Sequence, residues 1–241
     1  MSAGRLLCIG DVHGCAPELE RLLAAVDPGD EDRLIFLGDY VDRGTASRAT
    51  VDLLCDLAAC RPRTVFLRGN HEEMFLDFIG EEGANKQAFF HNGGAQTLVS
   101  YGWEPVDRPP GAEAAHALVP EAHLAFFRTL VLRHEEDGFA FVHAGVRPGI
   151  PLAEQAREDL LWIREEFLLV DHRLDETIVF GHTPYRDAWF GGARKIGLDT
   201  GCVYGGRLSC LDLTQGVLHQ VVRGHKVVMK RSVAADLHRV R

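Results

Sequence analysis

The sequence predicts an α/β fold whose first part alternates buried strands with amphipathic helices. Three short apolar runs lead into turns at Gly10, Gly38 and Gly69. An apolar run that ends in a glycine-marked turn is typical of a strand buried in a sheet. Between these runs, residues 17–26 and 47–59 space their apolar side chains at the helical period. The order strand, helix, strand, helix, strand is the pattern of an α/β protein.

The second half of the chain returns to short strands. Apolar runs over 139–142 and 178–180 lead again into glycine-containing turns. Residues 208–213 and 217–222 flank a turn sequence and predict a hairpin. The region from residue 75 to residue 130 is predicted to be mainly helical. Its paired aromatic residues predict core contacts: Phe75 with Phe78, Phe89 with Phe90, and Phe126 with Phe127.

Five short polar motifs follow these strands directly. They are GDVHG at 10–14, GDYVDRG at 38–44, GNHE at 69–72, HAG at 143–145 and GHTP at 181–184. In an open α/β sheet, ligand-binding groups collect beyond the carboxyl ends of strands, so we expect these motifs to converge on one point. Any single Asp or His in such a turn is more often a helix cap or a surface residue. The prediction of a site therefore depends on the ordered set.

The ordered motifs resemble the pattern of the phosphoprotein phosphatase family, within the calcineurin-like metallophosphoesterases. Segments 159–164 and 198–206 are similar to the short bacterial and phage branch of that family. The resemblance implies an α/β (α+β) fold, a calcineurin-like four-layer sandwich of two mixed β-sheets flanked by helices, with a dinuclear metal site at strand ends. Residues 1–222 are predicted to form one metallophosphoesterase catalytic domain, and residues 223–241 a short basic C-terminal tail.

The resemblance also implies the ligands of two divalent metal ions. A pair of such ions can hold a bridging hydroxide for in-line attack and neutralise phosphoryl oxygens. Carboxylate, amide and imidazole donors together suit manganese or iron, and zinc also fits. Manganese is the expected ion. By family match Asp39 bridges the ions, Asp11 and His13 complete the first site, and Asn70, His143 and His182 complete the second.

Catalysis of phosphoester hydrolysis also needs a proton for the departing oxygen. His71 follows the candidate ligand Asn70 directly, and imidazole is the side chain most easily poised near neutral pH. We expect His71 to be the general acid. The resemblance makes Asp42 its partner, which fixes the imidazole tautomer and favours the charged form. A salt bridge to the adjacent loop is the alternative role for Asp42.

Two arginines are candidates for binding the phosphate group. Arg43 follows Asp42, and Arg164 stands where the short bacterial and phage members carry an arginine. A guanidinium group fits phosphate oxygens better than an ammonium group, because it can donate two parallel hydrogen bonds. A surface ion pair with neighbouring Glu165 or Glu166 is the ordinary alternative for Arg164. Tyr204 lies in a glycine-flanked loop and is a further candidate for the lining of the substrate pocket, on a looser alignment.

Composition limits the class of protein. The chain has 241 residues, a 46% hydrophobic content and a net charge of −9, which fit one globular domain and argue against a sequence-independent grip on nucleic acid. Residues 1–5 lack the apolar core of a signal peptide, and no apolar segment is long enough to span a membrane. We therefore expect a cytoplasmic protein without nucleic-acid or membrane partners, and the sequence leaves its oligomeric state open.

The leading functional hypothesis is a metal-dependent phosphomonoesterase of the serine/threonine protein phosphatase type, with a phosphorylated protein or small phosphomonoester as substrate. The closest alternative is a symmetrical dinucleoside-tetraphosphate hydrolase. That branch typically lacks the Asp-Arg pair present here at Asp42 and Arg43, and typically has Asp where this chain has Glu72. A non-catalytic phosphate-binding adaptor is a third hypothesis. An adaptor has no need of a proton donor, so His71 argues against it.

Overall fold

Two mixed β-sheets form the centre of the molecule in a computed structural model, which describes residues 4–105 and 108–241. Residues 1–3 of the N-terminal segment considered above therefore lie outside the described residues. The strands are β1 (Leu6–Ile9), β2 (Arg33–Phe36), β3 (Val65–Phe66), β4 (Arg133–Glu136), β5 (Phe139–Val142), β6 (Thr177–Phe180), β7 (Trp189–Gly191), β8 (Lys195–Gly197), β9 (Arg207–Asp212), β10 (Val217–Val222) and β11 (Val228–Ser232).

Each sheet combines three parallel strands with antiparallel neighbours. The first sheet has the order β11-β10-β9-β1-β2-β3, in which β1, β2 and β3 are parallel. The second has the order β4-β5-β6-β8-β7, in which β5, β6 and β8 are parallel. The predicted hairpin is confirmed as the antiparallel pair β9 and β10. Six parallel strands therefore deliver their carboxyl ends toward the loops that carry the polar motifs.

Helices cover the outer faces of both sheets. The two helices predicted first are confirmed within one residue at each end, and Pro17 lies in the first turn of its helix, where a missing N–H costs nothing. The helices are α1 (Ala16–Val26), α2 (Ser47–Cys60), α3 (Asn70–Ile79), α4 (Gly94–Ser100), α5 (Ala112–His116), α6 (Glu121–Arg128), α7 (Arg157–Trp162), α8 (Glu165–Leu169) and α9 (Ala234–Val240).

Strands buried on both faces explain the continuous apolar runs in the sequence. In β1, Leu6 and Cys8 belong to the core between the two sheets, while Leu7 and Ile9 face the core under the first layer of helices. The side chains of β5 also alternate between two cores: Phe139 and Phe141 lie between the sheets, and Ala140 and Val142 lie on the other face. Alternate side chains of a strand point to opposite faces, so both sets must be apolar. The result is the predicted four-layer sandwich.

The paired phenylalanines are confirmed as core residues on the outer face of the first sheet. Phe75 packs at a tilt against Phe89 with ring centroids 5.7 Å apart, and Phe78 stacks against Phe89 at 4.8 Å. Phe126 packs edge-on against Phe66 at 5.1 Å. These contacts fix the helices that follow the GNHE motif against the sheet. Among the described residues, no helix combines the length and apolar character that crossing a membrane requires.

The segment after Val222 takes part in the sandwich. Strand β11 pairs with β10 along its length, and α9 inserts Leu237 and Val240 into the core between the sheets. Thr177 of β6 donates a hydrogen bond to the Val240 carbonyl at 3.0 Å. The division of the chain into a domain at 1–222 and a tail at 223–241 stays a prediction.

Replacement of Leu237 by Ala tests that division. Leu237 is buried among apolar side chains of both sheets, so its truncation should lower the free energy of unfolding by about 2–5 kcal/mol, as for other buried leucines. Met229→Ala on the exposed face of β11 is the control, with an expected change within about 0.5 kcal/mol. Urea denaturation measures both. An equal, small effect of the two variants would establish the tail as a separate appendage.

Candidate metal centre

The candidate site lies beyond the carboxyl ends of the parallel strands of both sheets. The first sheet contributes the loops after β1, β2 and β3, and the second contributes those after β5, β6 and β8. All the side chains that were predicted as metal ligands are buried there. They are Asp11, His13, Asp39, Asn70, His143 and His182. The motifs therefore converge as the strand-end argument requires.

Asp39 is at the centre of this group. Its Oδ1 lies 3.4 Å from His143 Nε2, and its Oδ2 lies 3.4 Å from His13 Nε2 and 4.0 Å from His71 Nε2. Two compact sets of donor atoms share this carboxylate: one contains His13 and His71, the other His143 and His182. A carboxylate common to two such sets has the position that a bridging ligand needs.

Backbone carbonyls orient two of the imidazoles. His13 Nδ1 donates to the Val41 carbonyl and His143 Nδ1 to the Leu37 carbonyl, each at 2.8 Å. A neutral imidazole whose Nδ1 carries the proton presents a lone pair at Nε2. Both Nε2 atoms therefore face Asp39 as acceptors. A hydrogen bond from Nδ1 to a backbone carbonyl is the usual way in which a protein fixes the tautomer of a metal-binding histidine.

The donor set of the second group fits a metal ion. Asn70 Oδ1 lies 2.9 Å from His143 Nε2 and 2.9 Å from His182 Nδ1. With the His143 proton on Nδ1, an imidazole lone pair and an amide oxygen face each other, which is unfavourable unless a cation lies between them. Imidazole, amide oxygen and carboxylate together are ligands for a divalent transition metal. The residues therefore fit the group that the resemblance implies.

Asp11 lies at the edge of the two donor sets. Its Oδ2 accepts the backbone N–H of His182 at 2.9 Å, whereas its buried Oδ1 has no hydrogen-bond partner within residues 4–105 and 108–241. Neither compact donor set includes Asp11, and the set around His13 includes His71 instead. A buried oxygen without a partner is available to a ligand. Asp11 therefore stays a candidate metal ligand, at the edge of the donor sets.

The surroundings shift the pKa values of Asp39 and Asp11 in opposite directions. Burial alone would raise the pKa of Asp39, but the imidazoles of His143, His71 and His13 outweigh it and lower the pKa well below its usual range. Burial raises the pKa of Asp11, and the nearby charges of Asp199 and Asp39 add to this effect. Proximity to other acidic groups makes the ionised form of Asp11 costly, and a cation would relieve that cost.

His71 and Asp42 form a buried pair beside Asp39. His71 Nδ1 lies 2.7 Å from Asp42 Oδ2, and both side chains are fully buried. Burial would lower the pKa of His71, but Asp39 and the hydrogen bond to Asp42 outweigh it and raise the pKa. Among the described residues, the Nε2 atom of His71 has no hydrogen-bond partner, and it lies 4.0 Å from Asp39 Oδ2. The geometry leaves one ring nitrogen free to carry a proton into the site.

Glu72 holds the two central loops together. Its carboxylate accepts backbone N–H groups of Asp39 at 2.9 Å and Tyr40 at 2.7 Å. It also accepts those of Val41 at 3.2 Å and Gly69 at 2.9 Å. The bond to Gly69 is half of a capping box, because Glu72 is the third residue of α3. The position of Glu72 three residues after Gly69 in GNHE was the sequence signal from which this role could have been predicted.

Several site residues have a strained backbone. Ten non-glycine residues of the described chain have positive φ, and five of them belong to the site. A residue with a Cβ seldom adopts this left-handed conformation, and such strain tends to collect at functional sites. The five are His13 (44°), Asp39 (53°), Asp42 (68°), Arg43 (67°) and His182 (59°).

Arg43 and Tyr204 lie together at the mouth of the site. The Arg43 guanidinium donates to His13 Nε2 and lies 5.5 Å from the centroid of the Tyr204 ring. Arg43 must leave the imidazole before His13 Nε2 can bind a metal ion. Tyr204 is 62% exposed, so its ring is available to a bound molecule. The structure thus brings these two candidates for substrate binding into contact.

Arg164 approaches the site from the second sheet. Its Nη2 donates to the His182 carbonyl at 3.3 Å. Over residues 4–105 and 108–241, Arg164 forms no ion pair with Glu165 or Glu166, and Glu166 pairs with Arg147 at 2.6 Å instead. The buried Lys195 Nζ donates to the carbonyls of Phe167 at 2.5 Å and Val170 at 2.7 Å, which anchors the helix that begins beside Arg164.

A family model described as calcineurin-like phosphoesterase matches residues 4–229. The chain belongs to that family. The match covers nearly the whole chain and includes every strand that supports the site. This calcineurin-like phosphoesterase is therefore a metallophosphoesterase, and divalent metal ions are implied for it. The donor sets around Asp39 agree with that implication.

Relatives of this phosphoesterase carry the name bis(5'-nucleosyl)-tetraphosphatase PrpE, of the asymmetrical type. The protein from Geobacillus thermodenitrificans is 28% identical over 230 residues, which span 84% of this chain and 88% of the relative. The protein from Bacillus thuringiensis is 24% identical over 233 residues with the same coverage.

Two of the solved structures with a similar fold carry different functional names. A crystal structure described as that of a candidate diadenosine tetraphosphatase has a TM-score of 0.68 and 25% identity, and the match covers 92% of this chain and 94% of that chain. A protein serine/threonine phosphatase from Saccharomyces cerevisiae has a TM-score of 0.62 and 16% identity, over 95% of this chain and 79% of that chain. The second likeness shows the fold alone.

Sequence reasoning missed two further residues of the site. Asp199 follows β8, and its Oδ1 accepts the Gly201 N–H at 2.9 Å. Burial raises its pKa to about 6, and the Asp39 charge adds to the effect. Trp162 packs edge-on against His182 with ring centroids 6.2 Å apart. A Leu-Asp-Thr-Gly turn after an apolar run was the available signal for Asp199, whereas Trp162 gave none.

Asp39→Asn tests the shared role of this carboxylate. Because both donor sets use Asp39, the variant should lose nearly all of its divalent metal when it is loaded with manganese and dialysed, as measured by elemental analysis. Asp175→Asn is a matched control, since the Asp175 side chain is fully exposed, and it should retain the wild-type content. Retention of half of the metal by Asp39→Asn would show that Asp39 serves one ion and does not bridge.

Proposed function

We propose that this metallophosphoesterase is a manganese-dependent phosphomonoesterase with His71 as general acid. The observation that carries the proposal is the buried His71–Asp42 pair, whose free Nε2 lies beside Asp39. A site that only bound phosphate would gain nothing from a histidine held in one tautomer with its free nitrogen directed inward. The pair therefore supports catalysis over an adaptor role.

Each group of the site has a definite task in this proposal. Two divalent ions held through Asp39 would supply an activated water and neutralise charge on the phosphoryl oxygens. Arg43, which contacts the His13 ring, and Arg164, which contacts the His182 carbonyl, donate to those oxygens. His71 Nε2 delivers its proton to the departing oxygen, and Asp42 stabilises the charged imidazole before the transfer. Tyr204 lines the outer edge of the pocket.

We propose phosphoserine and phosphothreonine proteins, or small phosphomonoesters, as substrates. The Asp42-Arg43 pair and Glu72 support this choice over the symmetrical dinucleoside-tetraphosphate hydrolases, which typically lack both features. In the structure Glu72 reaches four backbone N–H groups, and the shorter Asp side chain has one methylene less with which to do so. We also propose that the protein acts in the cytoplasm.

A second candidate function is hydrolysis of dinucleoside tetraphosphates. It is favoured by the relatives that carry the PrpE name at 24% and 28% identity. Those names specify asymmetrical cleavage, whereas the alternative considered from the sequence was the symmetrical type. The same metal centre and acid serve either reaction, because both break a phosphorus–oxygen bond by attack of water.

His71→Asn tests the acid role. The variant should lower kcat by about 10²–10⁴ on an alkyl phosphomonoester, whose leaving group needs a proton. On p-nitrophenyl phosphate, whose leaving group departs without one, the loss should be much smaller. Metal content should stay near normal. His225→Asn, an exposed position, is the control and should match the wild type. Equal losses on both substrates would remove His71 from the acid role.

A comparison of substrates separates the two candidate functions. With saturating manganese, kcat/KM should be higher for phosphoserine and phosphothreonine peptides than for diadenosine tetraphosphate. A preference for the dinucleotide of more than about tenfold, equal to ~1.4 kcal/mol in transition-state binding, would replace the phosphomonoesterase proposal. Chromatography of the nucleotide products then gives the type of cleavage, since ATP with AMP indicates asymmetrical attack and ADP alone indicates symmetrical attack.

A further inference from the structure

A threonine outside every motif holds the partner of the proposed acid. Thr97 lies on α4, within the region that was predicted from the sequence only to be mainly helical. Its side chain is fully buried. Its hydroxyl donates to Asp42 Oδ1 at 2.6 Å. The other oxygen of that carboxylate, Oδ2, is the one that contacts His71 Nδ1 at 2.7 Å.

The same hydroxyl also fixes the backbone of Asp42. The Asp42 N–H donates to Thr97 Oγ1 at 2.8 Å and more weakly to Ser47 Oγ at 3.2 Å. Thr97 Oγ1 also lies 3.2 Å from Ser47 Oγ, toward which it is the donor in a longer contact. The three contacts of Thr97 Oγ1 are therefore a bond donated to Asp42 Oδ1, a bond accepted from the Asp42 N–H, and this longer contact with Ser47. Two of these three bonds go to Asp42.

The two hydrogen bonds between Thr97 and Asp42 oppose movements that would turn the Asp42 carboxylate away from His71. Asp42 has a φ of 68°, a conformation that a residue with a Cβ adopts only when its surroundings enforce it. Without the bond to Oδ1, the Asp42 carboxylate can rotate about its last side-chain torsion, which has a broad energy minimum. Rotation would take Oδ2 out of line with His71 Nδ1. Thr97 therefore restricts the carboxylate and the backbone together.

We propose that Thr97 is a positioning residue for general acid catalysis, because it orients Asp42 toward His71. The inference rests on the proposed acid role of His71. It assigns to α4 a task in the reaction, in addition to its packing against α2. The hydroxyl of Thr97 touches neither the candidate ligands nor the substrate-binding arginines, so its removal should spare metal and phosphate binding.

Thr97→Val isolates the hydroxyl, because valine keeps the shape of threonine. The variant should lower kcat on an alkyl phosphomonoester by about tenfold or more, the range found when a supporting hydrogen bond to a site residue is lost. The loss on p-nitrophenyl phosphate should be at most about twofold, with KM and manganese content unchanged. Thr97→Ser, which keeps the hydroxyl, should restore most of the activity on the alkyl ester.

The chain offers a matched control in Thr50. Its side chain is also fully buried, it lies on α2, and its Oγ1 has no hydrogen-bond partner in the part of the chain that the structure describes. Thr50→Val removes a buried hydroxyl without touching Asp42, so its rates on both esters should equal those of the wild type. If Thr97→Val does not fold, as judged by thermal denaturation, Thr97→Ala replaces it with the same expected dependence on leaving group.

The outcomes distinguish this inference from the proposed function. Equal losses on the two esters in the Thr97 variant, no loss on either, or failure of Thr97→Ser to restore activity would each overturn the positioning role. His71→Asn is assayed in parallel. If His71→Asn shows the leaving-group dependence and Thr97→Val does not, the acid role stands and the inference about Thr97 is wrong. If neither shows it, the acid role itself is wrong.

Discussion

The buried carboxylate of Glu72 is the interaction on which the geometry of the site depends. It joins the loop after β2 to the start of α3 through four backbone N–H groups. Asp39 and Asp42 belong to the first of these segments, and Asn70 and His71 to the second. Burial and the nearby charge of Asp39 raise the pKa of Glu72 to about 7, and the hydrogen bonds from the backbone oppose this rise because they stabilise the ionised carboxylate. The metal ligands and the acid pair are consequently set relative to each other by one side chain.

The loop after β2 carries three of the five left-handed residues of the site, Asp39, Asp42 and Arg43. Left-handed residues of this kind cost on the order of 1–3 kcal/mol each, and they persist only where the surroundings determine them. The close approach of the loop after β2 to the loop after β3 is one of the constraints that enforce these conformations. A Cβ at Gly69 would lie 2.1 Å from Asp39 Oδ1, and one at Gly38 would lie 2.6 Å from the Gly69 nitrogen. The glycines in these motifs thus allow the loops after β2 and β3 to touch, which brings the carboxylate to the imidazoles.

Most of the fold and the composition of the site could be predicted from the sequence, because both depend on local patterns. Apolar runs buried on two faces mark the central strands, and the polar motifs stand where those strands end. Contacts between distant segments could not be predicted. Thr97 has no motif around it, and its role depends on a residue 55 positions away. The basic stretch after Val222 carries little hydrophobic periodicity over β11, where the exposed side chains obscure the strand.

That basic stretch has a structural consequence at the border of the first sheet. Strand β11 is an edge strand, with one row of N–H and C=O groups unpaired by any other strand of its sheet. Its exposed residues include Lys230 and Arg231. An open edge is a template for the addition of a strand from another molecule, and cationic side chains oppose this because two such edges repel. The positive charges of this acidic protein thus stand where they discourage fibre-like association through the sheet.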